Sequence, residues 1–416
     1  MESLQLVLAA FTLSFGAWGN RCVDDNDAMG ELTRQQFGQT WGCKQIILER
    51  NQQQICDDAQ DFGNLCCATC VVMYERLRTQ FEQEFENAGP QIGRLSSLFQ
   101  GGNLLYRSVP LHERGQGMPL LALGTNELKG PKAFNLLLAA LQVGYRHIDS
   151  AILYGTHGVI HQAVMQSGVP REELFITSKI PPYMMGFSKA TEAVRQISEE
   201  LPGGYADLCL VHWPCVMCSL GLQQRTAWTI VERAGSWRAL EDAFRANICR
   251  AIGVSNYMEK HLEELFEYAE VRPSVMQLEY SPLTPLRDLA TFCRQHGIIL
   301  EGYGWYRSEI LEHPQVQDVA QQLARPAADV VAMWFLQQGL VPLYKTARLE
   351  RLLEYAEVLC CGWMLSQEQI GVLESVVLDD YPWKYYNGKV RHKDYPPPWA
   401  VPAISDLNDE GRQKAG

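Results

Sequence analysis

The chain has 416 residues, too many for one small domain. Hydrophobic residues at 47%, aromatics at 10% and charged residues at 20% exclude a disordered or collagen-like chain. The 36 Lys+Arg against 48 Asp+Glu give a net charge of −12, which argues against nucleic acid or an anionic membrane as partner but leaves room for a local basic pocket.

Residues 1–19 carry an apolar run shorter than the roughly 20 residues a membrane span needs. Gly16, Ala17 and Gly19 suit the cleavage point of a signal peptide, although Glu2 and the lack of early Lys or Arg depart from the usual basic start. A signal peptide and no stable membrane span are expected. Six of the 13 Cys then fall in residues 20–72: Cys22, Cys43, Cys56, Cys66, Cys67 and Cys70. A segment of that size seldom holds together by its core alone, so a small, mainly helical, disulfide-bonded module is expected there. Its LCCATC ending and early CVDDNDA resemble the ShK-toxin-like modules of secreted proteins, with Cys67 and Met73 departing from that pattern. The odd and uneven cysteine count favours the secretory pathway or an organelle lumen, with the cytoplasm as the alternative.

Residues 73–117 read as a helix and linker. Val71, Val72, Tyr74, Leu77, Phe81 and Phe85 recur at helical spacing, and Gly101, Gly102, Pro110, Gly115 and Gly117 then break any continuous element. From residue 118 to about 400, short β-prone runs alternate with helical stretches. The runs are 120–125, 145–150, 174–180, 208–213, 251–256, 274–280, 298–304 and 340–345. Eight strands alternating with helices indicate an α/β protein, a (β/α)₈ TIM barrel, and no G-x-G-x-x-G follows the first strand as a dinucleotide-binding open sheet would require. Residues 401–416 read as a disordered tail.

Such barrels place chemistry at the C-terminal ends of their strands. Asp149, Lys179 and His212 close the second, third and fourth runs; Ser255 and Asn256 close the fifth. Gln277 and Glu279 lie late in the sixth, Tyr303 in the seventh, and Lys345 closes the eighth. Tyr154 follows Asp149 on the loop above the same strand. A free tyrosine is too weak an acid to donate a proton readily at neutral pH. A neighbouring ammonium would favour its phenolate, a carboxylate would hold the ammonium, and a histidine could orient a carbonyl oxygen. The set suits proton delivery to the oxyanion of a carbonyl under reduction.

The runs MPLLALGT, GYRHIDSAILYGT, FITSK, LVHWP, RAIGVSNY, QLEYSP and LVPLYKTARLERLLE, in this order, resemble the successive signatures of the aldo-keto reductase family. The resemblance implies an NADPH-dependent carbonyl reductase acting on a small-molecule aldehyde or ketone. Tyr154 would be the general acid/base, tuned by Lys179 and Asp149, with His212 orienting the carbonyl. Ser255, Asn256 and Gln277 would hold the nicotinamide carboxamide, Tyr303 would stack on its ring, and Lys345, Thr346 and Arg351 would grip the 2′-phosphate. A monomer is expected. The alternative is a non-catalytic NADP-binding regulatory or partner-binding barrel.

The chain departs from the family pattern at Thr156 and His157, where Asn and Glu are usual, at Ala347 and Tyr355, where Asn is common, and at Asn126, where many relatives have Trp. His157 reads as a solvent-facing loop residue. Cys215 and Cys218 read as loop cysteines or a disulfide, and Cys360 and Cys361 as packing residues. Trp213, Trp305 and Trp383 are candidates for an apolar substrate wall, and the aromatic, Pro-rich stretch 381–402 for a loop closing over it.

Overall fold

The computed structural model describes residues 108–111, 117–215, 226–283, 285–358 and 363–375. The chain divides into two compact units, and the described barrel belongs to the larger, Leu105–Tyr355 with Met364–Gly416. The signal peptide, the cysteine-rich module with its ShK-like motif, the amphipathic helix after it, Cys218, Cys360, Cys361, Trp383 and the tail lie outside the described residues. No described helix is long and apolar enough to cross a membrane.

The described chain opens with β1 (Ser108–Pro110) and β2 (Gly117–Pro119), an antiparallel pair with Val109 opposite Met118. Sequence reading takes Pro110 and Gly117 as breakers, yet here they end one strand and begin the next. Pro is tolerated at such an edge because no ladder hydrogen bond is asked of it. Gly117 is needed for the close approach, since a Cβ there would stand 2.2 Å from Ser108 Oγ.

Eight parallel strands then close into a barrel: β3 (Ala122–Gly124), β4 (His147–Asp149), β5 (Phe175–Ile180), β6 (Leu208–Val211), β7 (Ile252–Ser255), β8 (Val275–Glu279), β9 (Ile299–Tyr303) and β10 (Val341–Tyr344). Each falls inside one of the eight expected runs. Closure is made where β10 pairs with β3, Leu343 opposite Ala122. β4, β5, β6 and β8 are buried along their whole length, as parallel strands must be when one face lines the barrel and the other meets helices.

The outer ring includes α1 (Gly130–Val143), α2 (His157–Ser167), α3 (Phe187–Glu200), α4 (Thr226–Arg245), α5 (Glu259–Tyr268) and α6 (Arg287–Gln295). It continues through α7 (Ser308–Leu311), α8 (Pro314–Gln322), α9 (Ala327–Gln337), α10 (Glu350–Glu357) and α11 (Gln367–Glu374). α1 shows how the sequence sets these elements. Pro131 starts it where a missing N–H costs nothing, its leucines are buried, and Gly144 ends it at φ 110° with its N–H on the Ala140 and Leu141 carbonyls.

The two barrel ends differ in chemistry. Phe175, Leu208, Val275 and Val341, the first residues of β5, β6, β8 and β10, cluster with Leu111 and Met118. The β1–β2 pair therefore plugs the N-terminal end with apolar side chains, and the polar residues are left for the C-terminal end. Trp305, expected on a substrate wall, is wholly buried against Phe335 and Tyr344, at 5.9 and 4.9 Å between ring centroids, and Trp213 is buried too. Tyr355 joins the same aromatic cluster, 4.5 Å from the Tyr344 ring.

Among the described cysteines, Cys209 on β6 and Cys249, just before β7, form a disulfide with Cα atoms 5.7 Å apart. Their sequence separation of 40 gives no hint of this; the pairing of β6 with β7 makes them neighbours. Cys215 is also disulfide-bonded, whereas Cys293 is a free, buried thiol.

Candidate active site

Asp149 and Lys179 stand near the C-terminal ends of adjacent strands β4 and β5, so their side chains enter the same mouth. Lys179 Nζ donates to Asp149 Oδ1 and Oδ2 at 2.7 and 2.6 Å and to the Ser150 carbonyl at 2.9 Å. Both side chains are buried, which makes this a charge pair taken wholly out of water. A single 3₁₀ turn, Ile152–Tyr154, ends at Gly155 in the left-handed region and carries Tyr154 back over the pair. There the Tyr154 hydroxyl lies 3.4 Å from Lys179 Nζ and 3.4 Å from His212 Nε2. The ammonium also sits 4.9 Å from the Tyr154 ring centroid. The four residues expected to be catalytic thus converge on one hydroxyl.

One electrostatic expectation is reversed. Burial first, then the negative charges of Asp149 and Glu301, push the Tyr154 phenol well above its ordinary value. The ammonium does not make it a phenolate in the resting site. The hydroxyl keeps its proton, which is the state a proton donor needs.

The residues expected at the nicotinamide are also brought together. Tyr303 donates its hydroxyl hydrogen to Asn256 Oδ1 at 2.7 Å, and Asn256 Nδ2 donates to the His212 carbonyl and to Ser255 Oγ, both at 3.0 Å. Asn256 holds φ 62°, a left-handed conformation that asparagine tolerates better than most residues. Gln277 Nε2 donates to Asp149 Oδ2 at 2.8 Å and to Glu301 Oε2 at 2.6 Å. Both amide hydrogens are therefore spent on carboxyl groups, and the Oε1 acceptor is what Gln277 has left to offer a ligand's N–H.

Lys345 and Thr346 follow β10 directly, and Arg351 is the second residue of α10. Lys345 is ion-paired with Glu127, on the loop after β3. Burial, and then the Arg307 guanidinium, pull the Lys345 ammonium below its ordinary value. Thr346 Oγ1 accepts from the Arg348 N–H at 3.0 Å and folds that loop. Glu279, read as a rim residue, accepts from Arg307 at 2.9 Å.

His157 is the clear correction at the rim. It begins α2, is 2% exposed, and bonds Glu200 through Nδ1 at 2.8 Å and Ser178 through Nε2 at 2.9 Å. Burial lowers its pKa against the opposing pull of Glu200. It fastens α2 to β5 and α3. Thr156 is likewise buried, 2.7 Å from Ser150 Oγ and 2.9 Å from Thr125 Oγ1.

Three polar features escape sequence reasoning. Glu301 interrupts the otherwise apolar start of the run IILEGYG, and that interruption was the available signal. Glu127 carries φ 67° on the loop after β3. Arg233 on α4 grips Glu264 on α5 at 2.8 and 2.7 Å and donates to the Pro214 carbonyl at 2.7 Å, tethering the chain two residues after His212. No spacing in the sequence joins these last two.

Comparison with known proteins agrees with this geometry. The family model "Aldo/keto reductase family" matches residues 116–377. Glyoxal reductase of Bacillus subtilis is 33% identical over 275 residues, 66% of this chain and 94% of that protein. The 9,11-endoperoxide prostaglandin H2 reductase of Trypanosoma cruzi is 34% identical over 279 residues, 66% of this chain and 93% of that protein. Among solved structures, MGS-M4, an enzyme from a Medee basin deep-sea metagenome library, aligns at TM-score 0.58 and 28% identity, covering 65% of this chain and 95% of that one.

Proposed function

Because the chain belongs to the aldo/keto reductase family and is an oxidoreductase, we propose that it reduces the carbonyl of a small aldehyde or ketone with NADPH, and that Tyr154 supplies the proton. The observation that carries this reading is the Tyr154 hydroxyl, 3.4 Å from both Lys179 Nζ and His212 Nε2.

The site's chemistry fits that cofactor. Gln277 Oε1 can accept from a carboxamide N–H, and Lys345 and Arg351 supply cations of the kind a phosphate needs. When bound, the cofactor supplies the hydride that adds to the carbonyl carbon. His212 orients the carbonyl oxygen beside the Tyr154 hydroxyl. As charge develops on that oxygen, Tyr154 delivers its proton there and becomes a phenolate. Lys179, 3.4 Å away, stabilises the phenolate, and Asp149 keeps the ammonium in place. The ammonium thus acts on the product state of Tyr154 rather than on its resting state, which is where stabilisation lowers a barrier.

The buried Cys209–Cys249 disulfide supports an oxidising compartment on the secretory route. In this proposal the barrel runs from about residue 118 to 400, after a signal peptide, a cysteine-rich module and a linker. Oxidation of NADPH over a panel of aldehydes and ketones, glyoxal included, tests the function. Tyr154→Phe should abolish carbonyl reduction while leaving NADPH binding within about twofold, and retained turnover would overturn the mechanism.

A further inference from the structure

Below the Tyr154 hydroxyl and above the apolar plug lies a layer of polar side chains that the proton transfer does not use. Glu301, on β9, is wholly buried there. Gln277 stands opposite it in the β8–β9 register, and the Gln277 amide nitrogen joins two carboxyl groups, Glu301 Oε2 at 2.6 Å and Asp149 Oδ2 at 2.8 Å. Asp149 in turn holds Lys179, so Glu301 is linked to the catalytic ammonium through two hydrogen-bonded partners.

The groups facing Glu301 leave it without a cation of its own. From β4 come Asp149 and His147, from β5 Lys179, and from the turn after β4 Tyr154. Lys179 is engaged with Asp149 through both carboxylate oxygens. His147 Nδ1 donates to the Pro119 carbonyl at 3.1 Å, so Nε2 is the bare nitrogen and accepts from Thr177 Oγ1 at 3.1 Å. That ring is pushed by burial down to about 4 and is neutral throughout the physiological range. Its Nε2 stands 3.9 Å from Glu301 Oε1, an oxygen that accepts no hydrogen bond from the described residues. Burial first, then the Asp149 charge, raise the Glu301 carboxyl to about 8.

We propose that Glu301 is a positioning residue of this reaction: as a neutral acid it holds Gln277 and, through it, the Asp149–Lys179 pair, and as an anion it opposes release of the Tyr154 proton. The second half follows from the charges. Proton donation turns Tyr154 into an anion, and a second anion buried in the same layer raises the free energy of that state. The proposal rests on Tyr154 being the proton donor.

The pH profile of carbonyl reduction by the full chain tests it. In the wild type, kcat/KM should fall about tenfold between pH 7 and pH 9, the loss expected when ionisation of one group near pH 8 silences the site. Glu301→Gln keeps an acceptor for Gln277 and cannot ionise, so its profile should change by less than about twofold over that range. Glu301→Leu serves if the glutamine variant does not fold: it should lack the same limb and also show a lower kcat at every pH, because Gln277 loses a partner. A falling limb that persists unchanged in either variant, or a wild-type profile flat from pH 7 to 9, overturns the proposal. Turnover surviving in Tyr154→Phe would instead overturn the catalytic reading beneath it.

Discussion

The Arg233–Glu264 pair is the place where one atom-scale change should cost the barrel most. Glu264→Gln keeps the shape of the side chain and removes its charge. Both partners are buried, at 0% and 1% side-chain exposure, so Arg233 would lose a carboxylate partner out of water. Burial opposes that cation, and the Glu264 hydrogen bonds and charge overcome it, holding the guanidinium above its ordinary value. Unlike a lysine, an arginine cannot escape by giving up its proton. Breaking a buried pair from one side costs about 3–5 kcal/mol. At about 2–4 °C per kcal/mol for a domain of this size, the melting temperature should drop by about 6–20 °C. Urea unfolding followed by circular dichroism reads the loss directly. Arg233→Met combined with Glu264→Leu should cost less than Glu264→Gln alone, because no charge is stranded. A loss below about 1 kcal/mol for Glu264→Gln, or a double variant worse than the single one, would refute the reasoning.

Two further outcomes concern the cofactor. Lys345→Met with Arg351→Met should weaken NADPH binding by about 10- to 100-fold, the worth of one or two charge-assisted hydrogen bonds, and NADH binding by less than about twofold. Equal losses in a fluorescence titration would refute the phosphate assignment. Glu127→Gln releases Lys345 from its ion pair. It should tighten NADPH up to about fivefold, the range for a partly exposed pair, and the gain should shrink in high salt; weaker binding would show that Glu127 helps to place the lysine instead.

Much of the fold was legible because a parallel barrel writes itself as repeated short apolar runs, each ending where a polar residue must face the mouth. That rule locates Asp149, Lys179, Ser255 and Gln277 on their strands and His212 just past the end of β6. It failed where contacts join distant segments. His157 looked like a loop residue because its partners, Ser178 and Glu200, lie on other elements. The β1–β2 pair was hidden by Pro110 and Gly117, whose usual role as breakers is overridden when an edge strand needs the first and a close approach the second. Glu301 stands in plain view as a charge within an apolar strand, but its role depends on Gln277 from the neighbouring β8 and on Asp149 arriving from across the barrel. The upward push on the Tyr154 phenol is hidden from the sequence for a related reason. Proximity of an ammonium can be inferred from sequence, whereas the cost of burying a phenolate depends on how completely water is excluded.

The Cys209–Cys249 bond also changes what a cut in the backbone would mean. It encloses the stretch that leaves β6, carries α4 and returns to β7. A protease nicking anywhere between the two cysteines would leave two pieces still joined by sulfur, one bearing His212 or its neighbours and the other Asn256. Such a clipped chain would run as intact until a reductant was added, so the barrel carries its own insurance against damage on the loop side of its mouth.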